Sequence, residues 1–128
     1  MKRILIADDD ATSRRLLAGA LAPLGADVHV CHDGLDALDL LRSAGRFDLL
    51  ITDIAMPVLD GRQLVTTVLA DAGLRTMPIL VTSGIACGRD IADLLHAGVC
   101  GFLAKPLNLA AVRSDASACL FGMATPAV

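Results

Sequence analysis

The sequence predicts a single α/β domain in which repeated βα units build a parallel sheet covered by helices on both faces. Three observations carry that reading. Five short apolar runs alternate with five amphipathic stretches, the pattern of strands joined by crossover helices. The apolar fraction is 55%, high enough for strands buried on both faces. At 128 residues the chain suits one core and can bury most of its unfolded surface without staples.

Taken in order, the strands are expected at Arg3–Ala7, Asp27–Cys31, Phe47–Thr52, Ile79–Ser83 and Cys100–Ala104. The first helix runs from about Ala11 to Ala22, with Leu16, Leu17, Ala20, Leu21 and Leu24 at helical spacing, and Pro23 with Gly25 stops it. Asp33-Gly34 opens the second, whose Leu35, Leu38 and Leu41 form a stripe closed by Gly45. Asp60-Gly61 opens the third, which carries Leu64, Val65, Val68 and Leu69 towards Gly73. A shorter fourth spans Arg89 to Ala97, and Asn108 caps a fifth that ends near Leu120.

Composition removes several function classes. The longest weakly polar stretch, Leu94 to Val112, is broken by His96, Lys105, Pro106 and Asn108, so no apolar run of membrane-spanning length exists. Met1-Lys2-Arg3 leads directly into a strand-like run too brief for a signal-peptide core, which points to a cytoplasmic protein. A net charge of -3 and 2% aromatic residues give neither an electrostatic footprint nor a stacking platform for nucleic acid. Cys31, Cys87, Cys100 and Cys119 are scattered without metal-ligand spacing and read as small apolar core residues.

What remains is concentrated at one edge. Ligands of open α/β sheets bind outside the carboxyl ends of the strands, and Asp8, Asp9, Asp53, Ser83 and Lys105 all lie at or just beyond such ends. Asp9 and Asp53, with a backbone carbonyl just past Asp53, offer hard oxygen ligands for a small divalent cation that keeps several waters, a description that suits magnesium, and Asp8 helps through a water. Asp10, Asp33 and Asp60 read instead as helix caps. A lone lysine after a strand is ordinarily a solvated surface residue, and a lone serine an ordinary strand-end cap. Together with a cation they can neutralise the oxygens of a phosphoryl group in transfer, with Asp53 as the nucleophile.

Asp8-Asp9, Asp53 followed by Met56-Pro57 and Asp60-Gly61, Ser83-Gly84 and Lys105-Pro106 occur in an order and at intervals that resemble the receiver domain of two-component response regulators. The resemblance covers almost the whole chain, with residues 1–123 as the receiver domain and 124–128 as a frayed tail. It implies a flavodoxin-like doubly wound sheet of order 2-1-3-4-5 with five helices. It makes Asp53 the acceptor of a phosphoryl group from a histidine kinase or a histidine phosphotransfer protein. It assigns Mg2+, with Mn2+ as the alternative, to Asp8, Asp9, Asp53 and the Ala55 carbonyl, and it sets Lys105 and Ser83 on the phosphoryl oxygens. Ser83 and Phe102 occupy the family's switch positions, and a downstream protein would bind the helix 4, strand 5 and helix 5 face.

Such a protein is not an enzyme with turnover and holds no organic cofactor. A fragment of a longer response regulator or hybrid kinase is the alternative within the family. An aspartate-nucleophile phosphatase similar to the haloacid dehalogenases would place a second acid two residues after the nucleophile, where this chain has Ala55. A flavin carrier would need a hydroxyl- and glycine-rich loop where Asp8-Asp9-Asp10 stands. A phosphorylation-independent interaction module would be expected to lose site residues that are all present here.

Overall fold

The structure is a computed structural model that describes residues 1–84 and 88–121. The expected frayed tail and Cys87 lie outside the described residues. Strands β1 (Arg3–Ala7), β2 (Asp27–Cys31), β3 (Leu49–Asp53), β4 (Ile79–Ser83) and β5 (Gly101–Ala104) alternate with helices α1 (Ala11–Leu21), α2 (Gly34–Ser43), α3 (Gly61–Ala70), α4 (Gly88–Ala97) and α5 (Leu109–Phe121). All neighbouring strands are parallel, in the order β2-β1-β3-β4-β5 that the sequence reading expects.

The continuous apolar runs are explained by burial on both faces. Leu5, Ala7, Leu50, Ile79 and Val81 pack against Ala37, Leu38, Leu41, Leu64, Val65, Val68 and Leu94 of α2, α3 and α4. The alternate residues Ile4, Ile6, Leu49, Ile51, Leu80 and Leu103 pack against Leu17, Ala20, Leu21, Val112, Ala116 and Leu120 of α1 and α5. Side chains alternate along a strand, so each core takes every second residue. Each fully buried aliphatic side chain contributes about 2 kcal/mol.

The helix caps fall where the acids predict them. Asp10, Asp33 and Asp60 accept from the backbone N–H groups of Ser13, Asp36 and Gln63, and Gln63 returns the bond to complete a capping box. Asn108 accepts from the Ala111 N–H at 3.0 Å. After α1 a 3-10 turn, Ala22–Leu24, holds Pro23 and ends at Gly25 with φ 69, a left-handed conformation that favours glycine.

Two strand boundaries differ from expectation. β3 begins at Leu49 rather than Phe47, because Asp48 is engaged by Arg3 through both backbone and carboxylate at 2.8 and 2.9 Å. It also runs one residue further, so Asp53 itself pairs with Thr82. β5 starts at Gly101 rather than Cys100. The consequence for the site is rigidity: Asp53 is held by the sheet ladder, not by a loop.

Candidate functional site

The site is assembled from four strand ends, those of β1, β3, β4 and β5. Asp8, one residue past β1, is fully buried. Its N–H donates to the Cys31 carbonyl at 3.1 Å, prolonging the β1–β2 ladder. Its carbonyl accepts from Arg14 Nη1 at 2.8 Å, and Oδ1 accepts from the Asp10 N–H at 2.9 Å. Those bonds fix the carboxylate and aim its second oxygen at Lys105. Asp9 follows it and is exposed. Asp10 is occupied as the α1 cap, and the Ser13 hydroxyl beside it, then the Ser13 N–H, hold its carboxyl below the usual carboxylate range.

From the far side of the sheet, Lys105 reaches across β4. Its Nζ donates to Asp8 Oδ2 at 3.0 Å and to Asp53 Oδ2 at 3.3 Å. The Lys105–Pro106 peptide is cis. Burial alone would lower the Lys105 pKa, but the hydrogen bond that Lys105 donates to Asp8 and the charges of Asp53 and Asp8 outweigh it and leave the ammonium favoured. The Asp53 pKa is raised as well, but for a carboxyl that disfavours the charged form: burial pushes it above the usual range, Lys105 pulls it down, and Asp8 adds to the rise. One ammonium therefore serves two carboxylates, and neither is fully neutralised.

Oxygens of Asp8, Asp9 and Asp53 lie within 4.8 Å of one another. These are hard, anionic donors around a surplus of negative charge, the kind of set a small divalent cation suits. The loop after Asp53 is tightly built. The Ala55 backbone N–H acts to lower the Asp53 pKa, against the larger effect of burial. Leu59 N–H donates to the Pro57 carbonyl at 2.8 Å around Val58, whose φ of 69 is a strained conformation for a β-branched residue. α3 starts so close beneath that a Cβ at Gly61 would collide with the Asp53 carbonyl.

Two hydroxyls complete the edge. Ser83, at the end of β4, is buried, and its Oγ has no hydrogen-bond partner. Thr82 Oγ1, beside it in the strand, is likewise buried and unpartnered. Buried hydroxyls are normally bonded, so each of these keeps an unused donor at the carboxyl end of the sheet.

The arrangement has counterparts among known proteins. A family model described as the response regulator receiver domain matches residues 4–116. The chain belongs to that family. This receiver domain is 36% identical over 112 residues to the chemotaxis protein CheY-3 of Vibrio cholerae, an alignment spanning 87% of this chain and 85% of the relative. It is 38% identical over 107 residues to the chemotaxis protein CheY of Pseudomonas aeruginosa, spanning 83% and 86%. Among solved structures, the phosphorylated cyanobacterial phytochrome response regulator RcpA superposes with a TM-score of 0.86 at 27% identity, covering 98% of this chain and 99% of that one.

In this receiver domain the structure joins Asp8, Asp53 and Lys105 by ion pairs and sets the Asp9 carboxylate within 4.8 Å of those of Asp8 and Asp53. Ser83 stands at the same edge without touching it through a hydrogen bond. Phe102 is half-buried in β5, pairs in register with Val81 and packs on the α2, α3 and α4 side of the sheet. Ser83 follows Val81 by two residues and shares that side. Ala55 is exposed. Asp8, expected to help a cation through a water, is also the nearer of the two carboxylate partners of Lys105. Sequence reasoning read all four cysteines as apolar core: Cys31 fits, but Cys100 is exposed and Cys119 half-exposed. Among the described residues no helix is long and apolar enough to cross a membrane.

Proposed function

We propose that the protein is a phosphoacceptor switch in which Asp53 takes a phosphoryl group from the phosphohistidine of a histidine kinase or a histidine phosphotransfer protein. The observation that carries this reading is the Lys105 ammonium shared between Asp8 and Asp53, at 3.0 and 3.3 Å. A cation so placed already lies against the oxygen that would attack phosphorus. In the transfer, an Asp53 carboxylate oxygen bonds to phosphorus, the N–P bond breaks, and the imidazole nitrogen keeps the electron pair. Lys105 passes from carboxylate to phosphoryl oxygen, and the Ser83 hydroxyl, buried without a partner, donates to another.

A divalent cation, Mg2+ or Mn2+, would be held by Asp8, Asp9, Asp53 and the Ala55 carbonyl. Bound there, it supplies positive charge to the phosphoryl oxygens and offsets the repulsion among the acids. Engagement of Ser83 draws the end of β4 towards the phosphoryl group, and Phe102 on the same side of the sheet follows. Differential contacts of that kind suffice to shift a population between two conformers. The α4, β5 and α5 face then meets a downstream protein. The protein assists its own phosphorylation and dephosphorylation and turns over no other substrate. The relative RcpA, solved in phosphorylated form, is consistent with this reading.

The test is intact mass after incubation with acetyl phosphate and Mg2+. Wild type gains one phosphoryl mass, and Asp53→Asn gains none. An Asp53→Asn protein that gains the mass equally would overturn the assignment.

A further inference from the structure

We propose that the Thr82 hydroxyl shortens the lifetime of the phosphoryl group by donating to the Asp53 oxygen that releases it, an inference that rests on the phosphoacceptor role proposed for Asp53. Phosphoryl transfer as proposed uses Ser83 and leaves Thr82 idle. Yet Thr82 is fully buried, and its Oγ1 has no hydrogen-bond partner among the described residues. A hydroxyl left bare inside a strand costs stability that valine, nearly the same in shape, would not.

The two hydroxyls of β4 face opposite sides of the sheet, because side chains alternate along a strand. Ser83 follows Val81 on the α2, α3 and α4 side, whereas Thr82 follows Leu80 on the α1 and α5 side. Asp53 follows Ile51 onto that second side, and Thr82 is its register partner on the neighbouring strand. Such partners project from one face with their strands about 5 Å apart. Lys105 crosses the same ground. Its N–H donates to the Ser83 carbonyl at 2.9 Å, Leu103 two residues before it pairs with Thr82, and a Cβ at Gly84 would stand 3.9 Å from both its Cβ and its Cδ. The lysine stem therefore passes over β4 on the face that Gly84 shares with Thr82, and the ammonium ends on Asp8 and Asp53. Thr82 is the β4 side chain on that face level with Asp53.

Before transfer, Lys105 holds Asp53 Oδ2. Once that oxygen is bonded to phosphorus and Lys105 has passed to a phosphoryl oxygen, Oδ2 has lost its donor. The Thr82 hydroxyl, free to turn about a single bond, replaces it. In hydrolysis a water oxygen bonds to phosphorus, the bond from phosphorus to Asp53 breaks, Asp53 keeps the electron pair, and both water hydrogens leave on the phosphate. A bridging ester oxygen is a weak acceptor, and the carboxylate oxygen it becomes is a strong one. The Thr82 bond thus tightens as the leaving group forms, and an interaction stronger in the transition state than before it lowers the barrier.

The experiment loads the wild type, Thr82→Val and Thr82→Ser with acetyl phosphate and Mg2+, removes the donor by gel filtration and follows loss of the phosphoryl mass with time. Thr82→Val should lose it about fivefold more slowly than the wild type, the scale of one hydrogen bond. Thr82→Ser, which restores the hydroxyl, should lose it at the wild-type rate. Urea denaturation separates this from packing: Thr82→Val should unfold at the same urea concentration or a higher one, since it gives up an unpaired hydroxyl. Release from Thr82→Val as fast as from the wild type, a Thr82→Ser protein as slow as Thr82→Val, or slow release accompanied by a lower urea midpoint would overturn the proposal. So would a Thr82→Val protein that takes no phosphoryl group while the wild type does. A wild type that gains no phosphoryl mass is a different failure, because it removes the role of Asp53 itself and this inference with it.

Discussion

The two ends of the sheet carry similar charged groups and treat them oppositely. At the amino end, Arg3 Nη1 donates to the Ala44 and Arg46 carbonyls at 2.7 and 3.1 Å, and its backbone N–H donates to Asp48 at 2.9 Å. The guanidinium lies 4.3 Å from the Phe47 ring centroid, and His29 meets that ring edge-on at 5.4 Å. This end is saturated and binds the strands together. At the carboxyl end one lysine is divided between two acids, and the hydroxyls of Thr82 and Ser83 are buried without partners. Unsatisfied groups cost stability, and their concentration at one end is what the phosphoryl site proposed there would require.

The sharpest way to break this comparison is to remove one cation from each end. Lys105→Ala is expected to slow phosphoryl uptake about 100-fold or more, the usual effect of deleting a charge-stabilising donor, as followed by intact mass over time. Arg3→Ala should leave that rate unchanged and lower the unfolding free energy by about 2 kcal/mol, through lost hydrogen bonds and the cation–π contact. Urea denaturation measures the second effect. A folded Arg3→Ala protein with impaired uptake would show that the two ends are coupled.

A smaller but sign-reversing effect comes from the same substitution made at both ends. Burial raises the Asp53 pKa in the folded state, so its ionised form costs stability once the pH exceeds that value, and a neutral isostere removes the cost. In metal-free buffer at neutral pH, Asp53→Asn should raise the melting temperature by about 3 °C. Asp48→Asn, which weakens a charge-assisted bond to Arg3, should lower it by about 2 °C. Two shifts of the same sign would remove the functional reading of the carboxyl end.

Much of this was legible in the sequence because it follows from local pattern. Strand ends advertise themselves by apolar runs, and acids at those ends must converge once the strands are parallel. Helix caps are equally local, as Asp10, Asp33, Asp60 and Asn108 demonstrate. What escaped depends on contacts between distant segments. Nothing near Asp8 announces that its carboxylate meets a lysine 97 positions away. Asp48 looks like the middle of an apolar run until Arg3 is seen to engage it, which is why β3 was expected two residues early.

The central claim is that the open end of the sheet stores a phosphoryl group as an acyl phosphate on Asp53. The most direct measurement is peptide-level localisation of the label after treatment of the wild-type protein with a small phosphodonor and Mg2+. The account predicts one label, on the peptide containing Asp53, released by hydroxylamine as an acyl phosphate must be. A hydroxylamine-stable label on the peptide containing Thr82 and Ser83 would contradict it.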